Sequence, residues 1–302
     1  MGHQHHHIDA QTGDRRVALA VLVNLALSIA QIIGGILSGS LALIADAMHN
    51  LSDAISLVIA FGARRIARRS ATADMTFGYG RAEVVAALVN YTTLIMVGFY
   101  LIYEAILRFF APHGVDGWLV VIIAGIALLV DLVTALLTYR MSRSSMNIRA
   151  AFLHNLADAL GSVAVIFAGT LIILYDWRLI DPLITLLIAG YILWMSFTEI
   201  GPVVRILMLG SPPDVKLEQV VADLLGLKGV AGVHHAHLWQ IDEHRGALDA
   251  HVVIEKGAWG DADAIKASAK QRLHDLHGIN HTTLELECSV HACPEPQIFA
   301  KI

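Results

Sequence analysis

HNLSD at 49–53 and HNLAD at 154–158 place a histidine and an aspartate four residues apart, twice, each inside a long apolar run. Imidazole and carboxylate are the N and O donors of divalent-metal chemistry. On a helix, positions i and i+4 share a face, so His49 and Asp53 point one way, and so do His154 and Asp158. A single such pair reads equally well as a hydrogen-bonded clasp between two helices. Two matched pairs favour a ligand set of two imidazoles and two carboxylates, the number of N/O donors a tetrahedral Zn2+ takes. An aspartate at the centre of a membrane helix costs about 2.5–3.5 kcal/mol on insertion scales. Intramembrane acids therefore face a bundle interior and mark ion paths.

The elements that must position these groups follow from hydropathy. The chain has 302 residues, of which 56% are apolar and only 16% charged, and its mean hydropathy is +0.62. The formal net charge of −5 gives no reason to expect nucleic acid as a partner. A bilayer core needs about 20 apolar residues per helix. Six runs meet that length, at 17–37, 41–62, 84–107, 118–139, 150–175 and 183–209. The first is too long for a cleaved signal peptide and lacks a small-residue cleavage pattern.

Arginines orient the spans. Arg15 and Arg16 precede the first span, Arg64, Arg65, Arg68, Arg69 and Arg81 follow the second, and Arg140, Arg143 and Arg149 lie between the fourth and fifth. The opposite loops carry only Arg108 and Arg178. This positive-inside pattern puts both termini in the cytoplasm. Spans two and five then run in opposite directions. If they pack side by side, His49 lies level with Asp158 and Asp53 with His154, and four ligands converge.

Other polar residues sit in the spans. Asp46, three residues before His49, is expected either to support that ligand or to stand near the outer surface in water. Asp131 is expected to line the ion path, to take part in proton transfer, or to bond a neighbouring helix. Asn24, Gln31 and Asn90 read as helix-to-helix hydrogen bonds, and Glu104 as a group reaching for the outer interface.

Three segments complete the chain: a His-rich cytoplasmic tail at 1–16, the membrane region at 17–210, and a soluble domain at 211–302. The tail, with His3, His5, His6 and His7, reads equally as the remnant of a purification tag and as a native metal-collecting arm. Pro212 and Pro213 mark the boundary of the soluble domain. Its pattern predicts helix at 215–225, strands at 233–242 and 247–255, helix at 261–276 and strand at 282–288, an αββαβ order. Strand alternation puts His235 and His237 on one face and His234 on the other. Cys288, His291 and Cys293 form a C-x2-H-x-C cluster, too short for a zinc finger but able to cap a metal site. A reducing cytosol argues against a disulfide between the two cysteines. His274 and His277 read as surface histidines.

Taken together, SLALIADAMHNLSDAISL, FGYGRAE, HNLADALGS, HLWQID and HTTLELE, in a six-span chain with a soluble tail, resemble the cation diffusion facilitator family of metal-ion/proton antiporters. The resemblance spans nearly the whole chain. It implies a six-helix membrane bundle followed by a cytoplasmic ferredoxin-like α+β domain, a homodimer, and a place in a bacterial cytoplasmic (inner) membrane. It implies that His49, Asp53, His154 and Asp158 form the transport site, for Zn2+ first and Co2+, Ni2+ or Cd2+ as alternatives, with protons as counter-ion. Met75 and Tyr79 stand where some members have His, so the loop metal site of those members is expected to be missing. Arg81 and Glu83 read as structural charges.

In the tail domain, His234 and His237 match HxxHxW, His251 matches the histidine of the second strand, and His281 and Glu287 match HxTxxxE. The resemblance implies a cytosolic regulatory Zn2+ site around His234, His251 and Glu287, with His237 and His281 next. The absence of H-E-x-x-H excludes the common intramembrane zinc protease motif. A membrane metal sensor without transport is the remaining competitor.

Overall fold

The structure, a computed structural model, describes the backbone of residues 10–142, 146–293 and 297–298, and their side chains except those of 10–21, 57, 60, 137–152 and 154. His3, His5, His6 and His7 lie outside the described residues, as do the side chains of His154 and of Arg15, Arg16, Arg140, Arg143 and Arg149. The chain divides into two compact units, one of 1–62 and 89–200, the other of 63–88 and 201–302.

Six long helices form the membrane part: α1 (Ala10–Ser38), α2 (Leu41–Ala67), α3 (Ala82–Phe110), α4 (Gly117–Ser142), α5 (Met146–Tyr175) and α6 (Ile180–Leu207). Five are long and apolar enough to cross a bilayer over their described residues; in α1 the described apolar stretch is Leu22–Ser38. Within the first unit, the N-terminal half of α2 is the most enclosed element. Leu41, Ala42, Leu43, Ala45 and Ala47 are buried, the first four packed against apolar side chains of α3, α4, α5 and α6. Small residues permit this close approach. The same logic holds where α4 meets α5: a Cβ on Gly117 would stand 2.7 Å from the Gly169 carbonyl oxygen, and one on Gly169 would stand 2.9 Å from Val121.

Large apolar side chains cover the outside of the helices, Phe99, Leu129, Leu160, Phe167, Leu187 and Trp194 among them. In water such a surface would aggregate; against lipid it is at rest. Phe110, Trp118, Tyr175 and Trp177 are exposed in or beside the α3–α4 and α5–α6 loops, as expected of an aromatic belt.

Buried polar groups in the bundle are satisfied across helices. Asp181, at the start of α6, accepts from Ser40 Oγ at 2.5 Å and from the Leu41 N–H at 2.8 Å, so one carboxylate caps the N-terminus of α2. Arg108 Nη1 stands 3.7 Å from the same carboxylate. Ser52 Oγ donates to Asn90 Oδ1 at 3.2 Å, joining α2 to α3 as Asn90 was expected to do.

The second unit holds α7 (Leu217–Leu225), β1 (Val230–Gln240), β2 (Gly246–Ile254), α8 (Ala262–His277) and β3 (His281–Cys288), in the expected αββαβ order. The sheet is mixed: β1 pairs antiparallel with β2 in a hairpin, and β2 pairs parallel with β3 through the α8 crossover. Both helices cover one face, burying Val220, Leu224, Leu248, Val252, Ile254 and Leu273. Full burial of each such side chain contributes about 1.5–3 kcal/mol. Arg81 joins this unit by donating from Nε to the Ile241 carbonyl at 3.0 Å and from Nη2 to the Gln240 carbonyl at 3.3 Å.

Candidate metal centres

The first centre is built by α2 and α5. One helical turn separates His49 from Asp53, so α2 presents both on one face. His49 Nε2 stands 3.7 Å from Asp53 Oδ2 and 3.4 Å from Asp158 Oδ1. Ligand atoms of His49, Asp53 and Asp158 lie within 4.8 Å of one another. His49 and Asp158 are thus level across the two helices. Both are shielded, at 6% and 8% exposure. His154 precedes Asp158 by one turn of α5; its side chain lies outside the described residues. Tyr191, from α6, meets the His49 ring edge-on at 6.0 Å between centroids. Nothing in the sequence pointed to this contact.

A polar chain lies close to these residues in sequence. Gln31 Nε2 on α1 donates to Asp46 Oδ2 at 2.8 Å, and Asn50 Nδ2 donates to Gln31 Oε1 at 3.3 Å. Ser162 Oγ on α5 lies 3.5 Å from Asp46 and 3.4 Å from Asp131. Asp46 is 3% exposed. The expectation of an Asp46 in outer-surface water does not hold, because Gln31 and Ser162 enclose it. Gln31 is the interhelical hydrogen bond expected of it.

The second centre lies on the tail-domain sheet. Residues His234 and His251 are register partners on β1 and β2, and Glu287 comes from β3. Glu287 Oε1 is 2.7 Å from His251 Nδ1, and Glu287 Oε2 is 3.3 Å from His234 Nε2. His251 Nε2 also approaches Glu285 Oε2 at 3.4 Å.

A β-bulge alters the expected faces of β1. The register advances three residues on β1, from His234 to His237, against two on β2. His235 takes up the extra residue with φ 46°, a left-handed conformation uncommon outside glycine. Both His234 and His235 therefore reach the His251 side, with ring centroids 4.9–5.2 Å apart among the three. Ligand atoms of His234, His235, His251 and Cys293 lie within 4.8 Å of one another.

The remaining tail candidates are placed apart from these groups. His237 pairs opposite Asp249 in the register, and His281 packs its ring on Phe77 at 5.5 Å. Neither belongs to a candidate metal cluster among the described residues. Cys288 ends β3 as a half-buried thiol, and the His291 N–H bonds to its carbonyl at 3.0 Å. The His277 ring pairs with Asp223 at 2.8 Å, and the His274 ring with Asn280 at 2.7 Å.

Electrostatics in the tail centre follow from burial. Burial pushes the His234 imidazole below its ordinary range, helped by the neighbouring histidines and opposed by Glu287, so it is neutral with a lone pair available near pH 7. Burial by itself would raise the Glu287 carboxyl. Hydrogen bonds from His251 and the Cys293 N–H, with His234 nearby, outweigh it and hold Glu287 below the usual range. Burial and the Glu287 charge push the Cys293 thiol up.

Comparison with known proteins gives matches over both parts. Residues 17–208 match the cation efflux transmembrane domain, and residues 212–289 match the cytoplasmic domain of cation efflux proteins. A cadmium, cobalt and zinc/H(+)-K(+) antiporter of Bacillus velezensis is 34% identical, covering 96% of this chain and 93% of that protein. The zinc transporter ZitB of Pectobacterium atrosepticum is 36% identical over 95% of this chain and 89% of its own length. The metal cation efflux system protein CzcD of Cupriavidus metallidurans is 33% identical over 95% and 90%. Among solved structures, the metal-bound C-terminal domain of the CzcD transporter from that organism is 30% identical, covers 24% of this chain and 99% of itself, and gives a TM-score of 0.23. With both of its domains matched along nearly its whole length, the chain belongs to the cation diffusion facilitator family of multi-pass membrane cation efflux proteins.

Proposed function

We propose that the chain exports Zn2+ from the cytosol across a bacterial inner membrane in exchange for protons, by alternating access at His49, Asp53, His154 and Asp158. The observation that carries this reading is the convergence of His49, Asp53 and Asp158 within 4.8 Å in a shielded position between two apolar helices. Two carboxylates beside an imidazole attract a dication and offer it the N and O donors Zn2+ takes. The names of the relatives, a zinc transporter and a cadmium, cobalt and zinc antiporter, support a substrate of this class. Co2+, Cd2+ and Ni2+ are the alternative cargoes, since affinity follows the metal series and selectivity comes from geometry.

In this cycle Zn2+ enters from the cytosol and binds neutral imidazoles and ionised carboxylates, displacing protons. Helix rearrangement opens the site outward. Protons there compete for the ligands, the ion leaves, and the protonated site returns. No covalent step is needed. The membrane part, 17–210, carries the cargo. The domain at 211–302 pairs two copies into a homodimer with cytoplasmic termini and binds regulatory Zn2+ at His234, His251 and Glu287.

The test is Zn2+ uptake into proteoliposomes with an imposed pH gradient, with and without a K+ gradient. Uptake that follows the proton gradient is the expected result. Uptake that follows only K+ replaces the counter-ion. Metal binding with no flux under any gradient overturns the transporter and leaves a membrane metal sensor.

A further inference from the structure

The domain match ends at residue 289, yet the chain beyond it returns to the sheet at the bulge. The His235 N–H donates to the Gln297 carbonyl at 3.0 Å, and the Ala236 N–H donates to the Ile298 carbonyl at 2.9 Å. Cys293, from the same stretch, donates its own N–H to Glu287 Oε2 at 3.3 Å, with its thiol 3.6 Å from Glu287 Oε1. This places a sulfur donor within 4.8 Å of three imidazoles.

An independent observation points to a ligand. His234 is 1% exposed; its Nδ1 has no hydrogen-bond partner, and its Nε2 has only the Glu287 carboxylate, at 3.3 Å. A buried imidazole left so costs free energy unless something takes its lone pair. The left-handed His235 adds a strained backbone whose effect is to bring a second adjacent imidazole to the same point. Metal bonds of about 2.0–2.3 Å set ligand atoms about 3.3–3.8 Å apart in a tetrahedron, and atoms already within 4.8 Å of one another reach that spacing by inward shifts of no more than about 1 Å.

We propose that Cys293 and His235 join His234 and His251 as ligands, making the cytosolic centre a site of three imidazole nitrogens and one thiolate sulfur, with Glu287 a hydrogen-bond partner of His251 in place of a ligand and Cys293 supplied from beyond the family's matched domain. It rests on the reading of the tail domain as a metal binder. Binding a dication converts the Cys293 thiol to thiolate and forms the metal–sulfur bond, with one proton released to solvent. A sulfur donor favours Zn2+, Co2+ and Cd2+ over Mg2+ and Mn2+. It also links metal occupancy to the pairing of Gln297 and Ile298 with β1.

The test is Co2+ titration of the full-length protein in detergent under reducing conditions. Thiolate ligation gives a sulfur-to-cobalt charge-transfer absorption in the near ultraviolet, which the membrane centre and the N-terminal histidines, having no sulfur, do not give. The band is expected in the wild type and in Cys288→Ser, and lost in Cys293→Ser. Losing a ligand weakens binding at this site at least as much as losing an outer partner does, about 10- to 100-fold. Metal is expected to slow hydrogen exchange of the His235 and Ala236 amides in the wild type and not in Cys293→Ser, whose other β1–β2 amides keep their protection. Co2+ bound through His234 and His251 without the band overturns the thiolate ligand and leaves the metal-binding domain standing. A band that survives Cys293→Ser also overturns it. Unchanged Co2+ stoichiometry in His234→Ala/His251→Ala removes the metal-binding domain and this site with it.

Discussion

Asp158→Ala and, separately, Asp53→Ala lose gradient-driven Zn2+ flux by at least about 100-fold while the protein stays folded. Loss of a partner merely touching a metal ligand weakens a site by about 10- to 100-fold, and loss of an anionic ligand does more. His49 Nε2 is 3.4 Å from Asp158 and 3.7 Å from Asp53, so either substitution removes a donor from the same point. Stability moves little or rises, because a carboxylate facing another carboxylate in a shielded site is retained at a cost in stability. The measurement is Zn2+ uptake by proteoliposomes alongside the thermal unfolding midpoint in detergent. Flux lost with an unchanged or higher midpoint separates a transport ligand from a helix clasp. Flux retained in both variants, with lowered midpoints, makes the two His–Asp pairs structural and sinks the transport site.

The second large effect concerns stability. Asp181→Ala destabilises the bundle by about 3–5 kcal/mol, the range for removing one partner of a buried charged network. Asp181 is 1% exposed. Its carboxylate accepts from Ser40 Oγ and from the Leu41 and Ala42 N–H groups. These are the orphan donors at the start of α2, where negative charge is also favoured by the helix dipole. Without it, those donors face an apolar surround, while Arg108 keeps Glu104 and the Gly39 carbonyl. Asp181→Asn keeps an acceptor but not the charge and falls between. Unfolding in detergent measures both; a change below about 1 kcal/mol in Asp181→Ala, the scale of an exposed pair, refutes the cap. Because α2 also carries His49 and Asp53, this cap positions the membrane centre from the N-terminal end of the same helix, about two turns before His49.

Local periodicity carried much of the architecture. Six apolar runs became six helices, with several boundaries shifted by a few residues, because bilayer thickness sets span length and the helix has no other way to satisfy its backbone. The αββαβ order was legible for the same reason: strands alternate and helices repeat every 3.6 residues. The pairing of His49 with Asp158 was legible too, since i,i+4 geometry and opposed span directions leave few arrangements.

What periodicity could not reach are contacts set by the packing of distant segments. Asp181 caps a helix 140 residues away, and a charge at the start of a span looks the same whether it faces water or a helix terminus. Gln31 enclosing Asp46 depends on how α1 is rotated against α2. Alternation assigned His234 and His235 to opposite faces; one inserted residue at a bulge brought both to His251. His237 and His281 matched the family pattern but stand apart from that cluster, whereas Cys293 reaches it because the chain after β3 turns back to β1. The amino-acid sequence by itself determined the elements, the membrane and the ligand types, because these depend on solvent and on neighbours within a few residues. The tertiary structure alone decided which donors meet, because ligand sets form at distances of a few ångströms between segments whose relative placement no local rule records.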